Sequence, residues 1–218
     1  MSFAVQTKAK TEEAAVFLAS SILKQLNSGK QVLFFVTGGS SMAVAVRTAE
    51  LLREHPHQNL TVTLTDERYG PIDHFNSNYF QLMEKGFDLP QAKMIPILID
   101  DDQNITTEKF NTVLREELGK REYKIGLFGI GTDGHIAGIL PESAAMNSEN
   151  FACAYDTPVF SRITITPKVI EQLDEAVAYA KGEEKQEALK NLEKDIEASK
   201  QPAQILKKIP LLTIFTDM

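Results

Sequence analysis

The run Gly129-Ile130-Gly131-Thr132-Asp133-Gly134-His135 follows a short apolar stretch and gathers groups suited to proton transfer. Histidine is the side chain best matched to taking a proton near neutral pH. Asp133, two residues earlier, can hold the ring and favour its charged form. Glycines on both sides let a tight turn present the pair at a strand end. A lone histidine is more often structural, but this setting predicts His135 as a catalytic base with Asp133 beside it. The run also spells G-x-G-x-x-G, a dinucleotide fingerprint. That reading is rejected. The run lies mid-chain, Pro141 would interrupt the helix it should open, and an acid such as Asp156 at the required distance is easily found by chance.

Two further loops follow apolar stretches. Thr37-Gly38-Gly39-Ser40-Ser41 joins a strand-like run to a helical one. Glycines admit a ligand close to the backbone, and a helix start offers unpaired N–H groups to an anion. The hydroxyls of Ser40 and Ser41 can donate to phosphate oxygens. No Gly-Lys-Ser/Thr follows, so this is not a Walker A loop. The second loop is Thr65-Asp66-Glu67-Arg68-Tyr69-Gly70-Pro71, continuing to Asn76-Ser77-Asn78-Tyr79. An Asp-Glu-Arg triplet is ordinarily a solvated turn, but its place directly after a strand raises its interest.

The other histidines are weaker candidates. His55 and His57 flank Pro56 in a polar stretch and read as surface positions, while His74 is a possible cleft residue. Nothing converges as a metal site. Asp100-Asp101-Asp102 lacks the glycine and closing glutamate of a calcium loop and reads as a solvated turn. Cys153, within Phe151 to Tyr155, reads as a buried small hydrophobe.

These loops need a frame. Ala15, Leu18, Ile22, Leu23 and Leu26 recur at helical spacing, predicting a helix from Thr11 to Asn27, with Glu12 and Glu13 in its first turn and Gly29 at its end. Further helices are expected from Ser41 to Arg53, Ser77 to Lys85, Thr106 to Leu118 and Glu183 to Ile196. Strands are expected at Val32 to Val36, Leu60 to Thr65, Met94 to Leu98, Lys124 to Ile130, Arg162 to Thr166, Ala176 to Ala180 and Leu211 to Thr216. Asp66 to Asn76 is expected to be loop. The alternation predicts an α/β fold: an open, largely parallel, doubly wound sheet with helices on both faces. No linker or repeat divides the chain, so one domain spanning residues 1–218 is expected. In such sheets ligands bind beyond the carboxyl ends of strands, where all three loops fall.

Composition narrows the function classes. Of 218 residues, 43% are hydrophobic, ample for a core, and the formal net charge is -7. Nucleic-acid binders usually show a basic patch instead. One cysteine forbids an intrachain disulfide and fits a reducing compartment. Met1 to Lys10 has no signal-peptide core, and Val32 to Val36 is too short to span a bilayer. Cytoplasm is the default expectation, with no membrane or nucleic-acid partner.

Taken in order, the three loops resemble the 6-phosphogluconolactonase family within the glucosamine-6-phosphate isomerase superfamily. The matching pieces are Gly38-Gly39-Ser40, Thr65-Asp66-Glu67-Arg68 with Ser77-Asn78-Tyr79, and Gly129 through Ala137. Arg162-Ile163-Thr164-Ile165-Thr166 is similar to the family's Arg-x-Thr-Leu-Thr strand, and Lys181-Gly182-Glu183-Glu184-Lys185 to its Gly-x-x-Lys turn. Lactonases tend to carry Asp-Glu-Arg at the second loop, as here. Isomerase-deaminases tend to carry Asp-Glu-Tyr and a glutamate five residues after the histidine, where this chain has Leu140; Glu142 follows Pro141 two positions on. Ser41-Met42 replace the usual Thr-Pro of the first loop, and Ile136-Ala137-Gly138-Ile139-Leu140 replace Thr-Ala-Ser-Leu-Phe.

The resemblance implies hydrolysis of 6-phosphoglucono-1,5-lactone, in the oxidative pentose phosphate route, with no cofactor. It implies phosphate on the backbone of Gly38, Gly39, Ser40 and Ser41, with Lys185 and Arg162 as cations. His135 would activate water, with Asp133 orienting it or binding a sugar hydroxyl. Arg68 would stabilise the oxyanion, and Asp66 and Asn78 would hold the loop and the sugar. A monomer or small homo-oligomer is expected. The alternatives are a glucosamine-6-phosphate isomerase-deaminase and a non-catalytic sugar-phosphate sensor. A sensor of this architecture would normally carry a DNA-binding helix-turn-helix ahead of it, and here only about ten residues precede the first helix.

Overall fold

Five consecutive apolar residues form strand β2 (Val32–Val36), and all five are buried. A strand buried on both faces belongs inside a parallel sheet covered on each side. The computed structural model describes residues 3–218. In chain order the remaining elements are β1 (Ala4–Gln6), α1 (Thr11–Asn27), α2 (Met42–Arg53), β3 (Leu60–Leu64), β4 (Asp66–Arg68), α3 (Asn78–Glu84) and β5 (Lys93–Ile95). Then come α4 (Gln103–Lys120), β6 (Tyr123–Gly129), β7 (Ala152–Asp156), β8 (Ser161–Ile165), α5 (Pro167–Ile170), β9 (Glu175–Ala180), α6 (Gln186–Leu192) and β10 (Leu211–Thr216).

Seven strands pair in the order β1-β10-β9-β6-β2-β3-β5, all parallel. The chain builds outward from β2 through β3 to β5, then returns to the other side of β2 with β6. The order therefore reverses between β2 and β6, and a crevice opens there beyond the carboxyl ends of the strands. Val32 pairs with Tyr123, so the loops after β2 and β6 leave side by side. Helix α1 buries Ala14, Leu18, Ile22 and Leu26 as one stripe and packs on α2.

Some expectations are corrected. Asp66 to Asn76 is not all loop: Asp66–Arg68 pairs antiparallel with β8, and β8 with β7, forming a separate three-stranded sheet. The Arg162 strand thus lies outside the parallel sheet. The helix expected from Glu183 to Ile196 is a 3-10 turn over Glu183–Lys185 followed by α6, which stops at Leu192. Side chains satisfy its last carbonyls: Gln204 Nε2 donates to Asn191 O at 2.8 Å and Lys207 Nζ to Leu192 O at 3.3 Å. His57 is buried rather than on the surface. Its Nδ1 donates to His55 O at 2.7 Å and its Nε2 accepts from Gln91 N at 3.2 Å, so the neutral ring is fully satisfied. Cys153 is only half-buried. No helix among the described residues is long and apolar enough to cross a membrane.

Candidate active site

A cleft of about 310 Å³ opens at the reversal between β2 and β6, within the size range of small-ligand sites. The loop after β2 supplies its first wall: Thr37, Gly38, Gly39 and Ser40. Gly38 has no room for a side chain, because a Cβ there would lie 2.3 Å from Asn78 Oδ1. The backbone at Gly39–Ser41 curls into a 3-10 turn that runs straight into α2.

Ser41 corrects one expectation. It is fully buried and its hydroxyl donates to Tyr179 O at 3.3 Å, so it ties the turn to β9 instead of reaching a ligand. Ser40 is the hydroxyl left in the cleft, 3.4 Å from Lys185 Nζ. Lys185 arrives from the turn at Gly182 after β9, where Lys185 N closes on Gly182 O at 3.0 Å. Burial pushes the Lys185 ammonium below its ordinary value, although Glu184 and Asp217 oppose this.

The second wall is β4 and the start of α3. Side chains alternate along a strand, so Asp66 and Arg68 line the cleft while Glu67 points the other way and is fully buried. Arg68 lies opposite Arg162 in the β4–β8 register. Both guanidinium groups lean on the Phe160 ring, at 4.9 and 5.9 Å from its centroid. Arg68 Nη1 donates to Asn76 O at 3.1 Å, and Arg162 Nη1 is 3.6 Å from Asp66 Oδ2. Asn78 Nδ2 donates to Asp66 O at 3.0 Å. His74, considered as a cleft residue, instead bonds Arg68 O at 2.9 Å from behind and does not line the cleft.

His135 enters from the loop after β6. Its Nδ1 is 2.6 Å from Asp133 Oδ1, which also accepts from His135 N at 3.1 Å. A carboxylate only accepts, so Nδ1 is the donor of this bond and Nε2 is the ring nitrogen turned away from Asp133. Burial works against the Asp133 charge, but the His135 amide, its ring charge and its ring N–H together hold the carboxyl below the ordinary aspartate value. Asp133 itself does not line the main cleft. It faces a neighbouring cavity of about 270 Å³ with Thr132 and Gln201.

One cleft therefore brings together Gly38, Gly39, Ser40, Asp66 and Arg68 with Asn78, His135, Arg162 and Lys185. Three cations face one carboxylate in a chain of net charge -7, a local field that favours an anion. Thr37, Thr132, Ala137 and Gly138 also line it without having been singled out. For Thr37 and Thr132 the available signal was adjacency to the glycines of their loops. Glu142 is exposed and does not line the cleft, so among the described residues Asp66 is the carboxylate that does.

Among relatives, a 6-phosphogluconolactonase of Helicobacter pylori is 26% identical over 196 residues, 86% of this chain and 82% of that one. One of Chlamydia trachomatis is 26% identical over 132 residues, so the chain spans about half of that relative's length, 51%. The crystal structure of 6-phosphogluconolactonase from Thermotoga maritima superposes with a TM-score of 0.82 at 20% identity, covering 99% of each chain, a likeness of fold. A sequence profile described as glucosamine-6-phosphate isomerases/6-phosphogluconolactonase matches residues 6–213, and with almost the whole length so covered, the chain belongs to that family.

Proposed function

We propose that the chain hydrolyses 6-phosphoglucono-1,5-lactone to 6-phosphogluconate, as a step of the pentose phosphate pathway in the cytoplasm. The observation that carries this reading is His135, bonded to Asp133, in one cleft with Arg68, Arg162 and Lys185, where Asp66 is the one carboxylate among the described lining residues. His135 Nε2 takes a proton from water as the water oxygen attacks the lactone carbonyl. Such a base contributes about 10²–10⁴-fold. Charge grows on the carbonyl oxygen, where Arg68 meets it. Collapse breaks the bond to the ring oxygen, which leaves as a hydroxyl with the proton from His135. Backbone amides of the Gly38–Ser40 turn, Lys185 and Arg162 hold the phosphate, while Asp66 and Asn78 face the sugar.

The isomerase-deaminase reading shares this fold but calls for an acid that neither Leu140 nor Glu142 supplies here. The test is hydrolysis of freshly generated 6-phosphogluconolactone, coupled to 6-phosphogluconate dehydrogenase, with His135→Ala beside the wild type. A histidine-dependent rate well above spontaneous hydrolysis is expected. A wild-type rate at the spontaneous baseline would overturn the proposal, and ammonia released from glucosamine 6-phosphate would replace it with the deaminase reading.

A further inference from the structure

Glu67 is fully buried yet has no cation as a hydrogen-bond partner among the described residues. Its carboxylate is instead met by four donors. Oε1 accepts from Arg68 N at 2.8 Å and Asn78 N at 2.6 Å. Oε2 accepts from Ser77 Oγ at 2.9 Å and Tyr79 N at 2.9 Å. A buried charge is tolerable only when hydrogen-bonded this completely. Burial raises this carboxyl above the ordinary glutamate value, and the backbone donors of Tyr79, Asn78 and Arg68 pull it back. The anion is the form in which every donor finds an acceptor.

These donors belong to the cleft wall. The first amides of a helix have no partner within it. In α3 those of Asn78 and Tyr79 go to Glu67, and that of Phe80 to Ser77 Oγ at 3.1 Å. One side chain thus pins the strand residue that carries Arg68 to the helix residue that carries Asn78, from the face opposite the cleft. We propose that Glu67 is a positioning residue for the lactone reaction: it touches no substrate and sets where Arg68 and Asn78 stand in the cleft. This inference rests on the reaction proposed above.

A structural role alone would lower stability and leave the chemical step to the molecules that fold. A positioning role acts through Arg68. Glu67→Gln keeps the shape but turns an acceptor oxygen into an NH2 that faces an N–H. Displacements of about 1 Å in a positioned group can cost up to about 10²-fold in rate. The expected result is a large fall in kcat for Glu67→Gln in the wild-type background and little further fall in an Arg68→Ala background. Ser77→Ala, which removes one donor and keeps the charge, should show the same non-additivity on a smaller scale, and it carries the test where Glu67→Gln does not fold. Equal fold-losses in both backgrounds, or a wild-type kcat and KM for both variants, would overturn the inference while the lactonase reading stands. A wild-type rate at the spontaneous baseline would overturn the reaction and this inference with it.

Discussion

Asp133 Oδ1 is bonded twice to His135, at 2.6 Å to the ring Nδ1 and 3.1 Å to the main-chain nitrogen. Two bonds to one residue fix both the ring's rotation and its tautomer. Asp133→Asn breaks this logic, because an amide can present its NH2 to Nδ1 and so move the ring proton to Nε2. The expected loss in kcat falls within the range a general base supplies, about 10²–10⁴-fold, with KM near the wild-type value. Steady-state kinetics of Asp133→Asn and His135→Ala check it. An unchanged kcat in Asp133→Asn would remove Asp133 from the mechanism.

Gly131 gives the ring its room. A Cβ at that position would lie 2.1 Å from His135 Nδ1 and 2.2 Å from its Cε1, so the imidazole must move. Gly131→Ala is expected to lower kcat by about 10²-fold, the cost of a misplaced reacting group. Gly119 is the control. It lies within α4 and an added Cβ meets nothing within 4 Å. Gly119→Ala should raise stability by up to about 1 kcal/mol through helix propensity and leave kcat alone. Thermal melts and kinetics on both variants separate local crowding from any general effect of a methyl group.

The parallel sheet was legible where apolar runs announce it: β2 and β10 begin and end at the expected residues, and α1 follows its stripe. The second sheet was not. Its strand β4 reads Asp-Glu-Arg, and what makes it a strand is the pairing of Asp66 with Thr164, far along the chain. β1 is exposed throughout and carries no apolar pattern; only its ladder with β10 defines it. The orientation of Ser41 was hidden for a similar reason, since Tyr179 O, its acceptor, lies 138 residues away. The chemistry-bearing loops were readable because their glycines, charges and histidine cluster locally. Which side chains of those loops face the cleft depended on strand pairing.

Lys185 predicts a pH dependence. Burial lowers its ammonium below the ordinary lysine value, so the charge is lost as pH rises through a point earlier than for a free lysine. Affinity for 6-phosphogluconate, measured by calorimetry, should therefore weaken on the alkaline side at a pH below the ordinary lysine range. In Lys185→Arg the same titration should stay flat, because guanidinium keeps its charge. Lys185→Ala should weaken binding about 10- to 100-fold at neutral pH, the worth of one charge-assisted hydrogen bond. Equal alkaline weakening in Lys185→Arg would place the titrating group elsewhere.

Arg68 and Arg162 offer the sharpest division of labour. They are register partners on β4 and β8 and share the Phe160 ring, yet their hydrogen-bonding surroundings differ. Arg162 stands 3.6 Å from the Asp66 carboxylate, whereas Arg68 donates to the neutral Asn76 carbonyl and has no carboxylate in an ion pair with it among the described residues. Arg68→Ala should lower kcat by roughly 10²–10³-fold with little change in KM, as the loss of an oxyanion donor does. Arg162→Ala should instead raise KM by about 10- to 100-fold, the loss of a phosphate contact. Phe160→Ala loosens both guanidinium groups without removing either, so smaller changes should appear in both constants. The reverse split, with kcat falling for Arg162→Ala and KM rising for Arg68→Ala, would exchange the two roles and turn the substrate end for end in the cleft.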